Sequence, residues 1–368
     1  MAFLTEYSTT IEAELPAGDV HAGMEVFYNP VMASNRNISI LLLNTIENTQ
    51  MNVCDPLAGS GIRSLRFLKE LNKGKIKQLF VNDMKENFKE VFNAGLKLNK
   101  LKPKNLSLFQ KDANLFMQEQ IGFDYIDIDP FGSPNPFLAS AVARISRNGI
   151  IAVTATDAAA LTGTYPKVTR RKYWAEPLRN YLMHEIGLRI LIRKVQLQGI
   201  QFDKALVPIL SYSKDHYFRA YFRNEKGKEK CDELIKQQQY FLYCNNCLNF
   251  KCSIYNKEKC SCEKEFIFAG PLWVGKLSDE KLLEKMVENN PFPEEQKLLE
   301  LLLGESKVNQ VGFYDLHEIA RKLKVDPPKM ELALKKLKAV RTHFLLTGIK
   351  SEKSLAEVIK CVKSHSSV

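Results

Sequence analysis

From about residue 50 to residue 226, short apolar runs alternate with longer stretches whose apolar positions recur at helical spacing. Residues 51–56 predict a strand carrying Asp55 near its end, and 60–71 a helix with Ile62, Leu65, Leu68 and Leu71 on one face. The runs 78–83 (QLFVND) and 106–112 (LSLFQKD) predict two further strands, each closing on an acid, with helices expected over 86–99 and 114–119. Residues 123–129 (FDYIDID) predict a fourth strand, 134–146 a helix, and 149–156 (GIIAVTAT) a fifth strand. Strands alternating with helices imply right-handed βαβ units and a mostly parallel α/β sheet. A helix expected over 177–198 is followed by apolar runs at 205–211 and 217–223, joined by the hairpin-like link SKDH at 213–216.

The sheet pattern ends near residue 226 with the polar stretch NEKGKEK (224–230). Beyond it come a cysteine-rich segment and three short helices expected over 293–303, 314–323 and 327–337, the last after VDPP, where proline suits a helix start. With the more extended THFLLTG (342–348), that order predicts a winged-helix-like region over 293–348. Two domains are therefore expected, 1–226 and 227–368, the second α+β and smaller.

Composition adds partners and compartment. The chain has 368 residues and a formal net charge of +11. Residues 163–230 hold fifteen Lys/Arg against six Asp/Glu, a positive field suited to a polyanion such as nucleic acid. No apolar run is long enough to span a bilayer. The N-terminal segment has neither a secretory pattern nor the Arg-rich pattern of a transit peptide, so a cytoplasmic location is expected. No protein partner is implied. Five of the eight cysteines, Cys244, Cys247, Cys252, Cys260 and Cys262, fall within nineteen residues. In that compartment such a cluster favours metal over disulfide.

Candidate chemistry lies at the strand ends. DPLAGSGIRS (55–64) joins the first strand to the first helix, and Gly59 and Gly61 permit a tight turn whose backbone N–H groups approach a ligand closely. The third glycine of a dinucleotide fingerprint is replaced by Ser64, which disfavours a dehydrogenase. Asp55, Asp83 and Asp112 fit a nucleoside cofactor of the S-adenosylmethionine kind. Asp83 lies 22 residues beyond Gly61, near the spacing of an acid on ribose hydroxyls, and Asp112 is placed to accept from an adenine amine. Taken singly, each aspartate is as well explained as a strand-end cap. Asp129-Pro130-Phe131-Gly132 ends the fourth strand. Methylation of a base amine requires acceptors on the amine hydrogens, because its lone pair is delocalised into the ring. The Asp129 carboxylate and Pro130 carbonyl would orient that lone pair, and Asp129 would take the released proton. Phe131 would stack on a base withdrawn from its helix. Parallel strands finished by an antiparallel hairpin form the Rossmann-like sheet of class I methyltransferases.

These segments resemble the tRNA guanine-26 N2-dimethyltransferase family along nearly the whole chain. The resemblance rests on VFYNPVMASNRN (26–37), DPLAGSGIR, DPFGSP, VTATDAAALTG (153–163), YWAEPLR and HEIGLRILI (173–192), AGPLWVG (269–275) and RTHFLLTGIKS (341–351). It implies transfer of methyl groups from S-adenosyl-L-methionine to the N2 of guanosine 26 of tRNA. It further implies that Arg36 and Arg63 meet the cofactor, that Asp83 holds its ribose, and that Asp112 and the Ala113 backbone meet its adenine. Asp129 would be the catalytic carboxylate, and Phe27 and Phe131 the two faces clamping the guanine. His184 and Glu185 also match but are assigned structural roles. The family commonly has two CxxC pairs. Here Cys244/Cys247 supplies one, while Cys260-Ser261-Cys262 is one residue short, with Cys252 an alternative to Cys260. Four thiolates suffice for a tetrahedral structural zinc. Two other readings are carried forward. A DNA amino-methyltransferase shares the acid-Pro-aromatic motif, and a non-catalytic RNA-binding protein would keep the fold but lose Asp129 or the glycines.

Overall fold

A computed structural model describes residues 2–14 and 28–364. The chain opens with a hairpin of β1 (Ala2–Glu6) and β2 (Thr9–Ala13), and α1 (Ala33–Thr45) follows. Next come β3 (Met51–Asp55), α2 (Ile62–Glu70), β4 (Ile76–Asn82), α3 (Phe88–Leu98), β5 (Leu106–Phe109), α4 (Ala113–Gln118), β6 (Phe123–Ile128), α5 (Asn135–Arg144) and β7 (Ile145–Ala155). The expected strands and helices fall within a few residues of these. Three helices, α6 (Ala158–Leu161), α7 (Pro166–Tyr173) and α8 (Met183–Ile200), lead to β8 (Lys204–Lys214) and β9 (Tyr217–Lys226). The helix expected from 177 begins only at Met183. Glu176 is instead drawn into a bridge with Gly270, each N–H donating to the other's carbonyl, and the Asn180 side chain accepts from Leu182 N–H in a turn.

The seven strands lie in the order β5-β4-β3-β6-β7-β9-β8. All pairings from β5 to β7 are parallel, and β9 runs antiparallel to both of its neighbours. This is the class I methyltransferase sheet. The chain leaves β3 toward β5 on one side and resumes at β6 on the other. The strand order therefore reverses between β3 and β6, where ligands bind beyond the carboxyl ends of strands. Both faces of the sheet are covered by helices, so β6 is buried nearly throughout (Tyr125, Ile126, Asp127 and Ile128).

After β9 come α9 (Lys228–Lys236) and a three-stranded antiparallel sheet of β10 (Gln238–Tyr243), β11 (Phe250–Ser253) and β12 (Ile267–Trp273), with β10 central. Then α10 (Glu280–Glu288), α11 (Gln296–Ser306), β13 (Tyr314–Asp315), α12 (Leu316–Leu323), α13 (Met330–Leu337), β14 (Val340–Arg341), β15 (Gly348–Lys350) and α14 (Leu355–Lys363) complete the fold. Helix, strand, two helices and two strands closing on one small sheet (β13-β15-β14) is the winged-helix order. Tyr314 and Asp315, expected as the start of a helix, pair instead with Ile349 and Gly348, and Asp315 then caps α12 through His317 N–H. The C-terminal elements share one apolar core with the main sheet. Ile126, Leu188, Phe241, Leu272, Phe313 and Val358 belong to a single continuous cluster.

Candidate active site

The turn after β3 is shaped by its glycines. Gly61 has φ 76° and a Cβ there would lie 2.3 Å from the Phe92 ring, so both backbone and space demand glycine. Gly59, at φ 56°, donates its N–H to Asp83 Oδ2 at 2.8 Å, and Lys85 N–H donates to Asp83 Oδ1 at 3.1 Å. Asp83 is thereby fixed beside the turn. Asp55 is buried under it and accepts from Ser64 Oγ at 2.7 Å. Burial pushes its carboxyl up to about 7, with Arg63 opposing and Asp127 adding to the rise.

Beyond β6, Gly132 N–H donates to Thr156 Oγ1 at 2.7 Å, and Thr156 N–H returns to Gly132 O at 3.0 Å. The loop 129–132 is thus tied to the end of β7. Arg63, from α2, pairs with Asp129 Oδ2 and, at 3.1 Å, with Asp127 Oδ2, and donates to Asn35 Oδ1 and Ser39 Oγ on α1. Asp129 keeps a modest exposure of 17%. Among the described residues its Oδ1 carries no hydrogen bond. Phe131 is 49% exposed at the mouth.

Beneath this loop is a fully buried charge pair. Arg219 of β9 grips Asp127 at 2.9 and 2.7 Å through its two terminal nitrogens, and also donates to Thr154 Oγ1 and Ser39 Oγ. Tyr125 OH donates to Asp127 at 2.6 Å. Burial would raise the Asp127 carboxyl, but Arg219 and Arg63 hold it below the ordinary carboxylate range. Arg36 is gripped in turn by Glu6 of β1 and donates to Asn29 O at 3.1 Å. Arg66 and Tyr28 also donate to Glu6, at 2.7 and 3.0 Å.

One cavity of about 510 Å³ brings together Arg36, Asp55, Gly59, Arg63, Asp83, Asp129, Pro130 and Phe131. Gly61 is not in the lining of that cavity but belongs to the same turn, between the lining residues Ser60 and Ile62. Asp112 and Ala113 lie outside its lining. Asp112 is exposed and uses Oδ1 to cap α4, accepting from Asn114 and Leu115 N–H at 2.9 and 3.0 Å. Phe27 falls outside the described residues. Sequence reasoning missed Asp127, Arg219 and Glu6. The signal for the first two was present: Asp127 sits between Ile126 and Ile128 in the strand FDYIDI, and Arg219 between Phe218 and Ala220 in the run YFRAYF, each a charge among apolar neighbours.

The second cluster is remote from that cavity in the chain. Cys244, Cys247, Cys260 and Cys262 place four Sγ atoms within 4.8 Å of one another, with Cys244–Cys262 at 3.5 Å and Cys247–Cys260 at 3.4 Å. Tetrahedral Zn–S bonds of about 2.3 Å put sulfurs about 3.8 Å apart, so the donor set fits structural zinc. The short C-x-C pair still reaches because the turn closes tightly. Cys260 N–H bonds Lys264 O, Glu263 N–H bonds Cys260 O, and Glu263 adopts φ 64°. Cys252, on β11, is not part of the cluster, so Cys260 completes the four-thiol set.

Comparison with known proteins identifies the family and the fold. The family model for N2,N2-dimethylguanosine tRNA methyltransferase matches residues 5–363. A tRNA (guanine(26)-N(2)/guanine(27)-N(2))-dimethyltransferase of Aquifex aeolicus is 40% identical over 95% of this chain and 92% of its own length. A tRNA (guanine(26)-N(2))-dimethyltransferase of Methanocaldococcus jannaschii is 38% identical over 92% of each chain. The solved complex of Trm1 from Pyrococcus horikoshii with S-adenosyl-L-methionine superposes with a TM-score of 0.85 at 33% identity, covering 98% of this chain and all of that one. The chain belongs to the N2,N2-dimethylguanosine tRNA methyltransferase family.

Proposed function

We infer that this enzyme methylates the N2 amine of guanosine 26 in tRNA, using S-adenosyl-L-methionine, in the cytoplasm. The observation that carries the reading is the meeting of the Gly59–Gly61 turn, Asp83 and the Asp129–Phe131 loop in one cavity. Bound S-adenosyl-L-methionine supplies the methyl group as a sulfonium. Asp83 would take the ribose hydroxyls, and Asp55 braces the turn through Ser64. Arg36 and Arg63 would meet the cofactor's carboxylate, and Asp112 and the Ala113 backbone its adenine. Asp112 has one oxygen engaged as a helix cap and offers the other.

Guanine enters past Phe131, with Phe27 on its other face. Asp129 Oδ1 and the Pro130 carbonyl accept the two N2 hydrogens, which turns the nitrogen lone pair toward the methyl group. Arg63 holds Asp129 Oδ2, so the carboxylate reaches the amine in one orientation, from which it would take the released proton. The C-terminal elements from 227 onward provide further tRNA contacts. Among the described residues no helix is long and apolar enough to cross a membrane.

The test is methyl transfer from labelled S-adenosyl-L-methionine to unmodified tRNA, with nucleoside analysis and mapping of the product. N2-methyl- and N2,N2-dimethylguanosine at position 26 are expected. Asp129→Ala lowers kcat by at least about a hundredfold while tRNA affinity is kept. Transfer to DNA in preference to tRNA, or full turnover by Asp129→Ala, overturns the reading. Mapping also reads position 27, which the name of the Aquifex aeolicus relative includes.

A further inference from the structure

The positive charge of residues 163–230 is not a uniform surface. Arg189, Lys194 and Arg219 are buried, and Arg189 and Arg219 are spent on internal partners. Half of the exposed cations lie on α7, whose sequence PKVTRRKY has four and no acid, whereas Lys226, Lys228 and Lys230 alternate with Glu225 and Glu229. Its buried side is Thr169 and Tyr173. On the opposite side Lys167, Arg170, Arg171 and Trp174 follow one another at helical spacing and are all exposed.

This helix is bolted to the catalytic loop. Tyr173 OH contacts Ser133 Oγ at 3.1 Å and donates to Asp157 Oδ1 at 2.5 Å, and Asn135 Nδ2 donates to Lys172 O at 2.8 Å. Ser133 and Asp157 directly follow Gly132 and Thr156, which are bonded to each other. Arg170 is engaged bidentately by Glu176, and Lys172 approaches Asp157 at 3.4 Å. Lys167 and Arg171 make no ion pair among the described residues. Cations near a helix C-terminus offset the helix dipole, which accounts for Arg171 and Lys172 but not for Lys167 in the first turn. Nor does the dipole explain the aromatic rings at either end. Tyr165 is 59% exposed, and Trp174 is 53% exposed with Lys194 Nζ 3.0 Å from its ring centroid, which holds the ring in place.

We propose that the outer face of α7, through Lys167, Arg171 and the Trp174 ring, is a docking surface for the tRNA backbone beside the target guanosine. This rests on the function inferred above and assigns it a contact surface. Drawing a base out of its stack costs a few kcal/mol, and the flanking backbone has to be held near the site while this happens. Two unpaired cations on a helix fixed to the loop 129–133 grip phosphates there, and an exposed indole offers a stacking platform for a neighbouring base.

The full chain is titrated with unmodified tRNA over a range of salt concentrations, alongside steady-state methylation. K167A/R171A is expected to weaken binding on the order of tenfold and to flatten the dependence of log affinity on log salt by about 1.5. KM for tRNA rises while kcat is kept. W174A weakens binding without changing the salt slope. The charge-preserving K167R/R171K keeps the slope, which separates lost charge from lost folding. K102A/K104A, beside β5 at the far edge of the sheet, leaves affinity unchanged. Wild-type affinity and slope in K167A/R171A overturn the proposal, as does an equal loss in K102A/K104A. Binding is read independently of turnover. A wild-type protein that binds tRNA but forms no N2-methylguanosine refutes the inferred activity and leaves the surface to stand or fall on the titrations.

Discussion

Glu6 shows how much a single distant side chain sets at this site. It is buried between Arg36 and Arg66 and accepts from Tyr28. Burial raises its carboxyl, but the two guanidinium groups outweigh that and hold it at about 2. Because the folded value lies below the unfolded one, the stabilisation is complete above about pH 4.5 and is lost as pH falls toward 2. Glu6→Gln is expected to lower unfolding free energy at pH 7 by on the order of 3 kcal/mol and to flatten that acid limb, as read from urea melts across pH. The same glutamate escaped sequence reasoning, as did Asp127 and Arg219. Asp55, Asp83 and Asp129 were legible because a strand ending in an acid beside turn residues is a local pattern. Asp127 and Arg219 are partners 92 residues apart, and nothing local in either strand names the other.

The elements divide along the same line. The βα alternation and the closing hairpin announce themselves by periodicity, whereas β13, two residues long, carries no periodic signal and takes its strand form from β15 alone. The late start of α8 has a similar origin, since the Glu176–Gly270 bridge joins segments no local reading connects. Phe27, in the segment 15–27, lies outside the described residues. The cysteine segment was legible as a cluster, while the choice between Cys252 and Cys260 rests on which sulfur the fold brings to the other three. Cys247→Ser is expected to release one equivalent of zinc and to lower Tm by about 5 °C or more, checked by metal analysis and a thermal melt. An unchanged melt with no zinc in the wild-type protein would refute the zinc site.

Across the molecule the two halves are joined by more than apolar packing. Glu185 of α8 is fully buried, pairs with Lys350 at 2.7 Å and Arg189 at 2.9 Å, and accepts from Gly312 N–H at 2.9 Å. Burial raises this carboxyl, but Lys350 and Arg189 draw it down to about 2. Lys350 also donates to Gly312 O at 3.0 Å, so winged helix and methyltransferase sheet meet at a satisfied polar junction. Lys350→Met leaves Glu185 with one cation fewer and is expected to cost about 3 kcal/mol in equilibrium urea unfolding of the full chain. The loss should be largest near pH 7 and shrink as pH falls below about 4.5, because protonation of Glu185 relieves the uncompensated charge.

The placement of Arg219 bears on how the protein is made. The arginine that neutralises Asp127 comes from β9, the last strand of the sheet to be synthesised. A chain emerging from the ribosome that has passed β7 but not residue 219 has the rest of the cavity lining in hand, yet would bury Asp127 with Arg63 and the Tyr125 hydroxyl but without its second cation. That arrangement is penalised by incomplete neutralisation. A chain that ends before β9 is therefore expected to leave Asp127 short of one cation and the edge of β7 unpaired.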